Sequence, residues 1–327
     1  MVKRTTRVAL SLLLALVLFG SPFSLWAADR ITVGATGLNA LDLDSVVAED
    51  RGFFSKENLE VNITYMAPDL PIKALVAGTV DIAKSGTHFG ILAATRGADV
   101  KIIGGSLYSY PYDVISQPQF TSLADLKGQK IAGGPLASIT MVIFKDVMAR
   151  HGIPPTDYSV LSVGGSSERF QALQSGQVAA DAVAGPPFNF RSIDSGKRVL
   201  FRYRDQIKDL QFVSYFTSPK LASQGRPLVA RFLRALGQGV QWLNDPSNEK
   251  EAIQILARRL KSDEALAARS YIYLVKELRA FRGEAKNDAR GLAEMVRLLA
   301  ESQMIPKKEP WESFVDPAFL SVVRPGS

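Results

Sequence analysis

The feature that most constrains the fold is a short motif that occurs twice, once in each of two runs of alternating strands and helices. Residues 74–80 and 172–178 both follow the pattern A-L-x-x-G-x-V. In each copy the glycine follows a short apolar helix, where a residue with positive φ commonly ends the helix, and a strand comes next. One copy is a common unit of α/β proteins. Two copies at corresponding points of two similar runs predict two similar α/β lobes.

The hydrophobic patterns around the two motifs support this organisation. The first run has strands predicted at residues 31–35, 59–65, 80–83 and 100–104, with helices between them at 43–51, 71–77 and 89–96. The second run has strands predicted at 130–132, 159–163 and 179–184, with helices at 138–151 and 167–175. Such alternation is typical of α/β domains with mostly parallel sheets. After Pro227 the chain has apolar residues at helical spacing, which predicts helices at 228–243, 249–260, 264–279 and 288–302.

The amino terminus has the layout of a secretory signal peptide. Lys3, Arg4 and Arg7 precede an apolar run at residues 8–19, which is too short to span a bilayer comfortably. Small residues at Ala27 and Ala28 then offer a cleavage site, and the bulky Trp26 two residues before Ala28 favours cleavage after Ala27. We expect residues 1–27 to be removed and the mature protein to be periplasmic. The alternative is an uncleaved amino-terminal anchor.

Composition excludes several kinds of chemistry. The 327 residues include no cysteine, so disulfides, thiolate metal sites, iron–sulfur clusters and cysteine nucleophiles are excluded. Two histidines, His88 and His151, are too few for a histidine-rich metal centre. The formal net charge is +7, but three of the basic residues lie in the predicted signal peptide, and no dense basic run follows it. We therefore expect no metal, no cofactor and no nucleic-acid partner.

Four segments resemble a known family. They are residues 47–61 (VAEDRGFFSKENLEV), 74–83 (ALVAGTVDIA), 123–132 (LADLKGQKIA) and 172–186, and together they span roughly residues 30 to 220. In this order they resemble the nitrate/sulfonate/taurine class of periplasmic solute-binding proteins of ABC importers, which share a fold with thiamine-pyrimidine-synthase-like proteins. Each motif also has a purely structural explanation, so the motifs indicate a fold and not a ligand. The sequence departs from the family where it has Ala179, since the family usually has an aspartate there and Asp181 comes two residues later.

The resemblance implies an α/β, two-lobed periplasmic binding protein fold of type II. Two mixed or parallel sheets would be flanked by helices, with the ligand cleft between the lobes. Lobe 1 would comprise residues 28–110 and 215–327, and lobe 2 residues 111–214. The resemblance also implies a monomer that captures a small molecule without catalysis and delivers it to an ABC permease in the inner membrane.

Ligands of open α/β sheets bind at the carboxyl ends of the strands, against the amino ends of helices. This rule predicts ligand-binding residues in four loops: Thr36, Gly37, Leu38 and Asn39; Ser85, Gly86, Thr87 and His88; Ser138, Ile139 and Thr140; Gly185 and Pro186. For each serine and threonine, simple helix capping is an equal alternative. For His88 the alternatives are a capping or surface role, donation to an anionic group, or pH sensing.

Two tyrosines are further candidates. Tyr108 and Tyr110 lie between the two α/β runs, where the chain is expected to cross from one lobe to the other. They could form an aromatic wall beside a ligand, or simply pack beneath the cleft. Residues 211–217 are expected to make the second crossing.

The sequence leaves the ligand and two rival functions open. No arginine lies in the four loops, which argues against a bidentate clamp on a carboxylate. Helix amides could still hold a sulfonate or another small anion, and the tyrosines would accept an aromatic or heterocyclic compound. The rivals to a transport function are a thiamine-pyrimidine-synthase-like enzyme and a periplasmic ligand-sensing subunit of a membrane kinase. The enzymes of this fold use a cysteine-rich motif inside the cell, so the lack of cysteine and the predicted signal peptide argue against the first.

Overall fold

The computed structural model describes residues 27–207, 209–306 and 309–320. The predicted signal peptide therefore lies, apart from Ala27, outside the described residues.

Strands and helices alternate through the first two thirds of the chain, as the hydrophobic pattern predicts. The strands are β1 (Asp29–Thr36), β2 (Leu59–Met66), β3 (Ile82–Gly86), β4 (Lys101–Leu107), β5 (Asp113–Ser116), β6 (Lys130–Gly133), β7 (Ser159–Ser162), β8 (Ala180–Ala184), β9 (Arg198–Arg202) and β10 (Val213–Thr217). The helices before β10 are α1 (Leu43–Asp50), α2 (Phe53–Lys56), α3 (Leu70–Val76), α4 (Thr87–Thr95), α5 (Ile139–Arg150), α6 (Ser166–Gln174) and α7 (Phe188–Asp194). The carboxyl-terminal helices are α8 (Pro219–Gln224), α9 (Arg226–Asn244), α10 (Glu249–Leu260), α11 (Glu264–Tyr271), which continues as a π-helical segment at Ile272–Glu277, and α12 (Ala289–Glu301).

The strands form two five-stranded sheets. The first has the order β2-β1-β3-β10-β4, and the second has the order β7-β6-β8-β5-β9. In the first sheet β1 is parallel to β2 and β3, while β10 is antiparallel to both of its neighbours. In the second sheet β6 is parallel to β7 and β8, while β5 is antiparallel to its neighbours. Each lobe is thus a mixed sheet in which the parallel strands share one edge for their carboxyl ends, as the sequence predicts.

The chain passes from the first sheet to the second between Leu107 and Asp113, and returns between Arg202 and Val213. Aromatic rings pack these two crossing segments together. The ring of the fully buried Tyr110 lies 5.1 Å from that of Tyr203 and 4.7 Å from that of Phe212, measured between centroids. The crossings therefore have a shared apolar core, and the lobe boundaries at 110/111 and 214/215 stay predictions.

The carboxyl-terminal helices cover the first sheet. Helix α9 approaches α1 so closely that a Cβ added at Gly239 would lie 3.2 Å from the Cβ of Ala48. On the outer side, Arg258 and Arg259 of α10 pair with Asp50 and Glu49 of α1 at 2.8 and 2.6 Å. The glycine that weakens α9 as an isolated helix thus permits its closest contact with the first lobe.

Among the residues that the structure describes, none of the helices has the length and apolar character needed to cross a membrane.

Candidate functional site

A cavity of about 480 Å³ lies between the two sheets, where the parallel strands of each sheet end. The chain segments that follow β1, β2 and β6 line it, together with the amino ends of α4, α5 and α6 and both crossing segments. This is the place where open α/β sheets bind ligands. A cavity of this volume is in the range of small-molecule sites.

Eight of the predicted site residues line this cavity. They come from three of the four predicted loops: Thr36, Gly37, Leu38, Asn39, Gly86, His88, Ser138 and Thr140. The structure thus brings residues of both sheets to one space, and their contact with a ligand stays a prediction.

The other seven do not line the cavity. They are Ser85, Thr87, Tyr108, Tyr110, Ile139, Gly185 and Pro186. Strand β3 extends to Gly86, later than the predicted end at residue 83, so Ser85 is a strand residue and not a loop residue. The hydroxyls of Thr87 and Ser214 are hydrogen-bonded to each other at 2.7 Å. The hydroxyl of Tyr108 donates a hydrogen bond to the backbone carbonyl of Lys286. A ligand-binding role for these seven stays a prediction that the cavity does not support.

Two of the lining polar residues also cap helical turns. Ser138 Oγ accepts a hydrogen bond from the Met141 amide at 3.4 Å, and α5 begins at the next residue. Asn39 Oδ1 accepts from the Leu41 amide at 2.7 Å, while the Asp42 carboxylate accepts from the Asn39 amide at 3.2 Å. Both side chains therefore cap a helical turn, and both also line the cavity.

Much of the wall was not predicted from the sequence. The predicted residues did not include the segment that ends β2, Tyr65 to Pro68, or the turn between β7 and α6, Gly164 to Ser167. Both follow parallel strands, so the rule that located the other loops would also have found these. Tyr112, the third tyrosine of the first crossing, lines the cavity although Tyr108 and Tyr110 do not. The crossing is irregular between β4 and β5, so alternate residues do not share one face.

Beside aliphatic side chains, the apolar part of the wall has five aromatic rings. They are contributed by Tyr65, Phe89, Tyr112, Phe188 and Phe212. The rings of Tyr112 and Phe212 meet edge to face with their centroids 5.5 Å apart. Burial raises the pKa of Tyr112 to about 12, so its hydroxyl is neutral near pH 7. Planar groups of a ligand would find faces and edges of rings on several sides.

A buried charge cluster lies at the first-sheet side of the cavity. Lys84 Nζ is 2.9 Å from Asp42 Oδ1 and 2.7 Å from Asp44 Oδ1, and all three side chains are almost fully buried. Burial alone would lower the pKa of Lys84, but the two carboxylates outweigh it and hold that pKa well above its ordinary value. Ser106 and Tyr215 donate to the second oxygen of Asp44 at 2.7 and 2.9 Å. The charge of Lys84 is thus paired with carboxylates of the protein itself.

Arg169 is the corresponding cation on the second sheet. Its Nε lies 3.3 Å from Asp181 Oδ1, and its other nitrogens donate to the carbonyls of Gly164 and Val183 at 2.9 and 3.1 Å. The side chain is 4% exposed and holds the turn before α6 against β8. Asp181, which lies two residues after the position where the family usually has an aspartate, is thus paired with Arg169.

His88 is enclosed beside the cavity. Its ring centroid lies 4.0 Å from that of Phe89 and 6.3 Å from that of Phe212. Neither ring nitrogen has a hydrogen-bond partner among residues 27–207, 209–306 and 309–320. Burial lowers the pKa of His88 to about 3, so the imidazole is neutral near pH 7. A neutral imidazole does not supply the positive charge that pairing with an anion would need.

The described part of the chain contains no group of three or more histidine, aspartate or glutamate residues arranged to hold a metal ion.

Comparison with known proteins identifies the family of this chain. The model of the family described as "NMT1/THI5 like" matches residues 43–249, more than half of the sequence. The chain belongs to the NMT1/THI5-like family. The family resemblance predicted from the four motifs is therefore confirmed.

Individual members and structures agree with this assignment. A Haemophilus influenzae protein provisionally named a thiamine biosynthesis protein is 34% identical over 149 residues, which cover 44% of this chain and 46% of that protein. The chain thus matches about half the length of that relative. A Brucella abortus protein provisionally named a binding protein is 24% identical over 224 residues, 68% of each chain.

The alkanesulfonate-binding protein SsuA of Xanthomonas axonopodis pv. citri, solved with bound MOPS, superimposes with a TM-score of 0.72. The two chains are 19% identical over 88% of this chain and 98% of that one. The likeness confirms the predicted two-lobed fold, and at this identity it carries no information about the ligand.

Proposed function

We propose that this member of the NMT1/THI5-like family is the periplasmic solute-binding subunit of an ABC importer. It captures a small, uncharged, planar aromatic or heterocyclic compound between its lobes and delivers it to a membrane permease. The observation that carries the proposal is the cavity between the sheets, which has aromatic walls and whose two lining cations are both paired with carboxylates. Location in the periplasm rests on the signal peptide predicted from the sequence.

The charges around the cavity favour a neutral ring over an anion. Both cationic side chains of its wall, Lys84 and Arg169, are held by buried aspartates. The wall also includes the carboxylates of Asp42 and Glu168. An anionic ligand would face these carboxylates without a free cation in the described wall, which is unfavourable at low local dielectric.

A sulfonate or another small anion is the second candidate. The amino ends of α5 and α6 both line the cavity, and such ends carry unpaired amides and partial positive charge. A protein of the same fold is named as an alkanesulfonate-binding protein. The binding experiment below separates the two candidates.

Capture proceeds by closure of the lobes, without a chemical step. The crossing segments connect the lobes at one side of the cavity, and a ligand that contacts both walls binds the closed form more tightly than the open form. This differential affinity drives closure, and the closed form is the one that would dock on the permease. The rival enzymatic function lacks support, since the chain has no cysteine for the cysteine-rich motif of the enzymes that share the fold.

Titration calorimetry with three simple probes tests the ligand class. We expect 4-aminopyrimidine to bind, and benzoate and ethanesulfonate to bind at least tenfold more weakly, a difference of about 1.4 kcal/mol. Binding of ethanesulfonate alone would overturn the neutral-ring assignment and leave the solute-binding function intact.

A matched pair of variants locates the binding site. Phe212→Leu alters the cavity wall, whereas Phe120→Leu makes the same change at a partly buried site that does not line the cavity. Only the first variant should weaken binding of 4-aminopyrimidine. Equal losses in both variants would place the site elsewhere.

A sensing role for a membrane kinase would involve the same cavity and a different partner. A permease and an ATPase encoded beside this gene would support transport, and a histidine kinase would support sensing.

A further inference from the structure

The carboxyl-terminal helix α11 and the segment that follows it contact the second lobe beside the start of the returning crossing segment. Helix α11 packs against α10, and Tyr271 donates to the carbonyl of Leu243 in α9 at 3.2 Å, so the helix belongs to the layer that covers the first sheet. It also contacts α7, which packs on β5 and β9 of the second sheet. The two lobes are therefore joined at a third place.

Three side chains at intervals of four residues form this contact. Arg269 Nη1 lies 2.7 and 2.6 Å from the two carboxylate oxygens of Asp194 in α7. Glu277 lies 3.4 Å from Arg204, which follows β9 at the start of the returning crossing segment. One ion pair thus reaches helix α7 of the second lobe, and the other reaches the chain that leaves the second sheet.

Tyr273 lies between the two ion pairs. Its ring meets that of Phe190 edge to face, with centroids 5.6 Å apart, and the guanidinium of Arg204 lies 5.0 Å from its centroid. Arg269 in turn lies 4.7 Å from the centre of the Phe190 ring. Ion pairs and aromatic contacts therefore alternate along one stripe, and they involve the same few side chains.

The helical geometry changes at this stripe. Residues Ile272–Glu277 form a π-helical segment directly after α11, and π-helical turns are rare and frequently lie at functional sites. Tyr273 and Glu277, which are four residues apart, both lie within this segment and both contact residues outside the carboxyl-terminal helices.

We propose that the stripe formed by Arg269, Tyr273 and Glu277 is an interlobe latch that restricts rotation of the second lobe about the crossing segments. With the latch intact, the ligand-free protein samples a narrow range of lobe arrangements. Breaking the latch widens this range and weakens capture, because more conformational freedom is lost when the lobes close. The role in capture rests on the proposed function, whereas the latch itself can be tested without any ligand.

The absence of cysteine makes a distance measurement straightforward. Cysteines introduced at Val76 in α3 and Ala149 in α5, both exposed, give one spin label on each lobe without background labelling. Pulsed electron paramagnetic resonance on the ligand-free protein then reports the distribution of interlobe distances. The variant Arg269→Ala/Glu277→Ala removes both ion pairs of the latch and leaves the net charge unchanged.

The matched control is Arg297→Ala/Glu294→Ala. It also removes one positive and one negative charge, but from an ion pair within α12. We expect the latch variant to broaden the distance distribution and shift its mean, and the control to reproduce the unaltered protein. A latch variant that folds and gives an unchanged distribution would overturn the proposal.

A charge swap guards against a simple folding defect. Arg269→Asp alone should broaden the distribution, and the additional change Asp194→Arg should restore it, since the pair is re-formed with reversed sign. Failure of the swap to restore a narrow distribution would count against the latch. Binding of 4-aminopyrimidine with an unaltered affinity in the latch variant would refute the link to capture while leaving the proposed transport function standing.

Discussion

The enclosed imidazole of His88 leads to a quantitative prediction about stability and pH. The pKa of His88 is lowered from 6.5 to about 3 by burial, so the unfolded chain binds a proton here between these values and the folded protein does not. Stability must therefore fall as pH falls below the unfolded value, because protonation favours the unfolded state. Between about pH 7.5 and pH 5, this one group removes about 2 kcal/mol of unfolding free energy.

The comparison of the protein with His88→Phe isolates this contribution. Phenylalanine keeps a flat ring beside Phe89 and Phe212 and cannot titrate. Buried carboxylates with raised pKa values, such as those of Asp42 and Asp181, act in the opposite direction, but they are present in both proteins and cancel. Urea denaturation at the two pH values should show that the unaltered protein loses about 2 kcal/mol more than the variant. Equal losses in the two proteins would mean that His88 is not enclosed as a neutral group.

Further substitutions test the two buried charge clusters at the cavity wall and the contact between α9 and α1. Lys84→Met leaves two buried carboxylates without their cation and should lower the unfolding free energy by about 3–5 kcal/mol in urea titrations. Arg169→Gln should increase hydrogen exchange in the turn before α6, because it leaves Asp181 without its cation. Adding Asp181→Asn removes this uncompensated charge and should restore part of the lost unfolding free energy. A double variant no more stable than Arg169→Gln would contradict the pairing. Gly239→Ala would place a methyl group 3.2 Å from the Cβ of Ala48 in α1 and should lower the unfolding free energy by about 1–3 kcal/mol. Gly134→Ala, which has open space at the position of the added Cβ, should cost far less, and urea titration of both variants measures the difference.

The fold was largely predictable because its signals are local. Apolar periodicity and glycine at helix ends located the parallel strands and the helices between them, and their bounds differ from the predicted ones by a few residues. The short strands β5 and β9 were not predicted, and most of residues 211–217, expected as the second crossing, form strand β10 of the first sheet. Strands β5 and β9 run antiparallel to each other near a crossing, and four or five residues without a following α-helix give little pattern to detect.

The carboxyl-terminal region shows a second limit. A single helix was predicted at residues 264–279, whereas α11 ends at Tyr271 and a π-helical segment follows. Over so few residues the periods of the two helix types place apolar side chains on nearly the same face. Sequence spacing alone therefore does not distinguish a continued α-helix from a π-helical segment here.

The lining residues of the cavity were predictable where they follow parallel strands, and were not predictable where segments distant in the sequence meet. Loops after parallel strands supplied eight lining residues, and the same rule extended to β2 and β7 would have supplied more. The lack of arginine in the predicted loops did not anticipate Arg169, which reaches the wall from within α6 and is bound to Asp181. The identity of the rings that face the cavity depends on the irregular path of the crossings, which left Tyr112 at the wall and Tyr110 in the core.

Capture of a neutral planar ring by closure of two lobes would make the protein more compact. Small-angle X-ray scattering with and without saturating 4-aminopyrimidine measures this compaction. We expect a smaller radius of gyration with this probe and no change with ethanesulfonate. Binding of the ring, measured by calorimetry on the same sample, without any decrease in the radius of gyration would refute capture by closure.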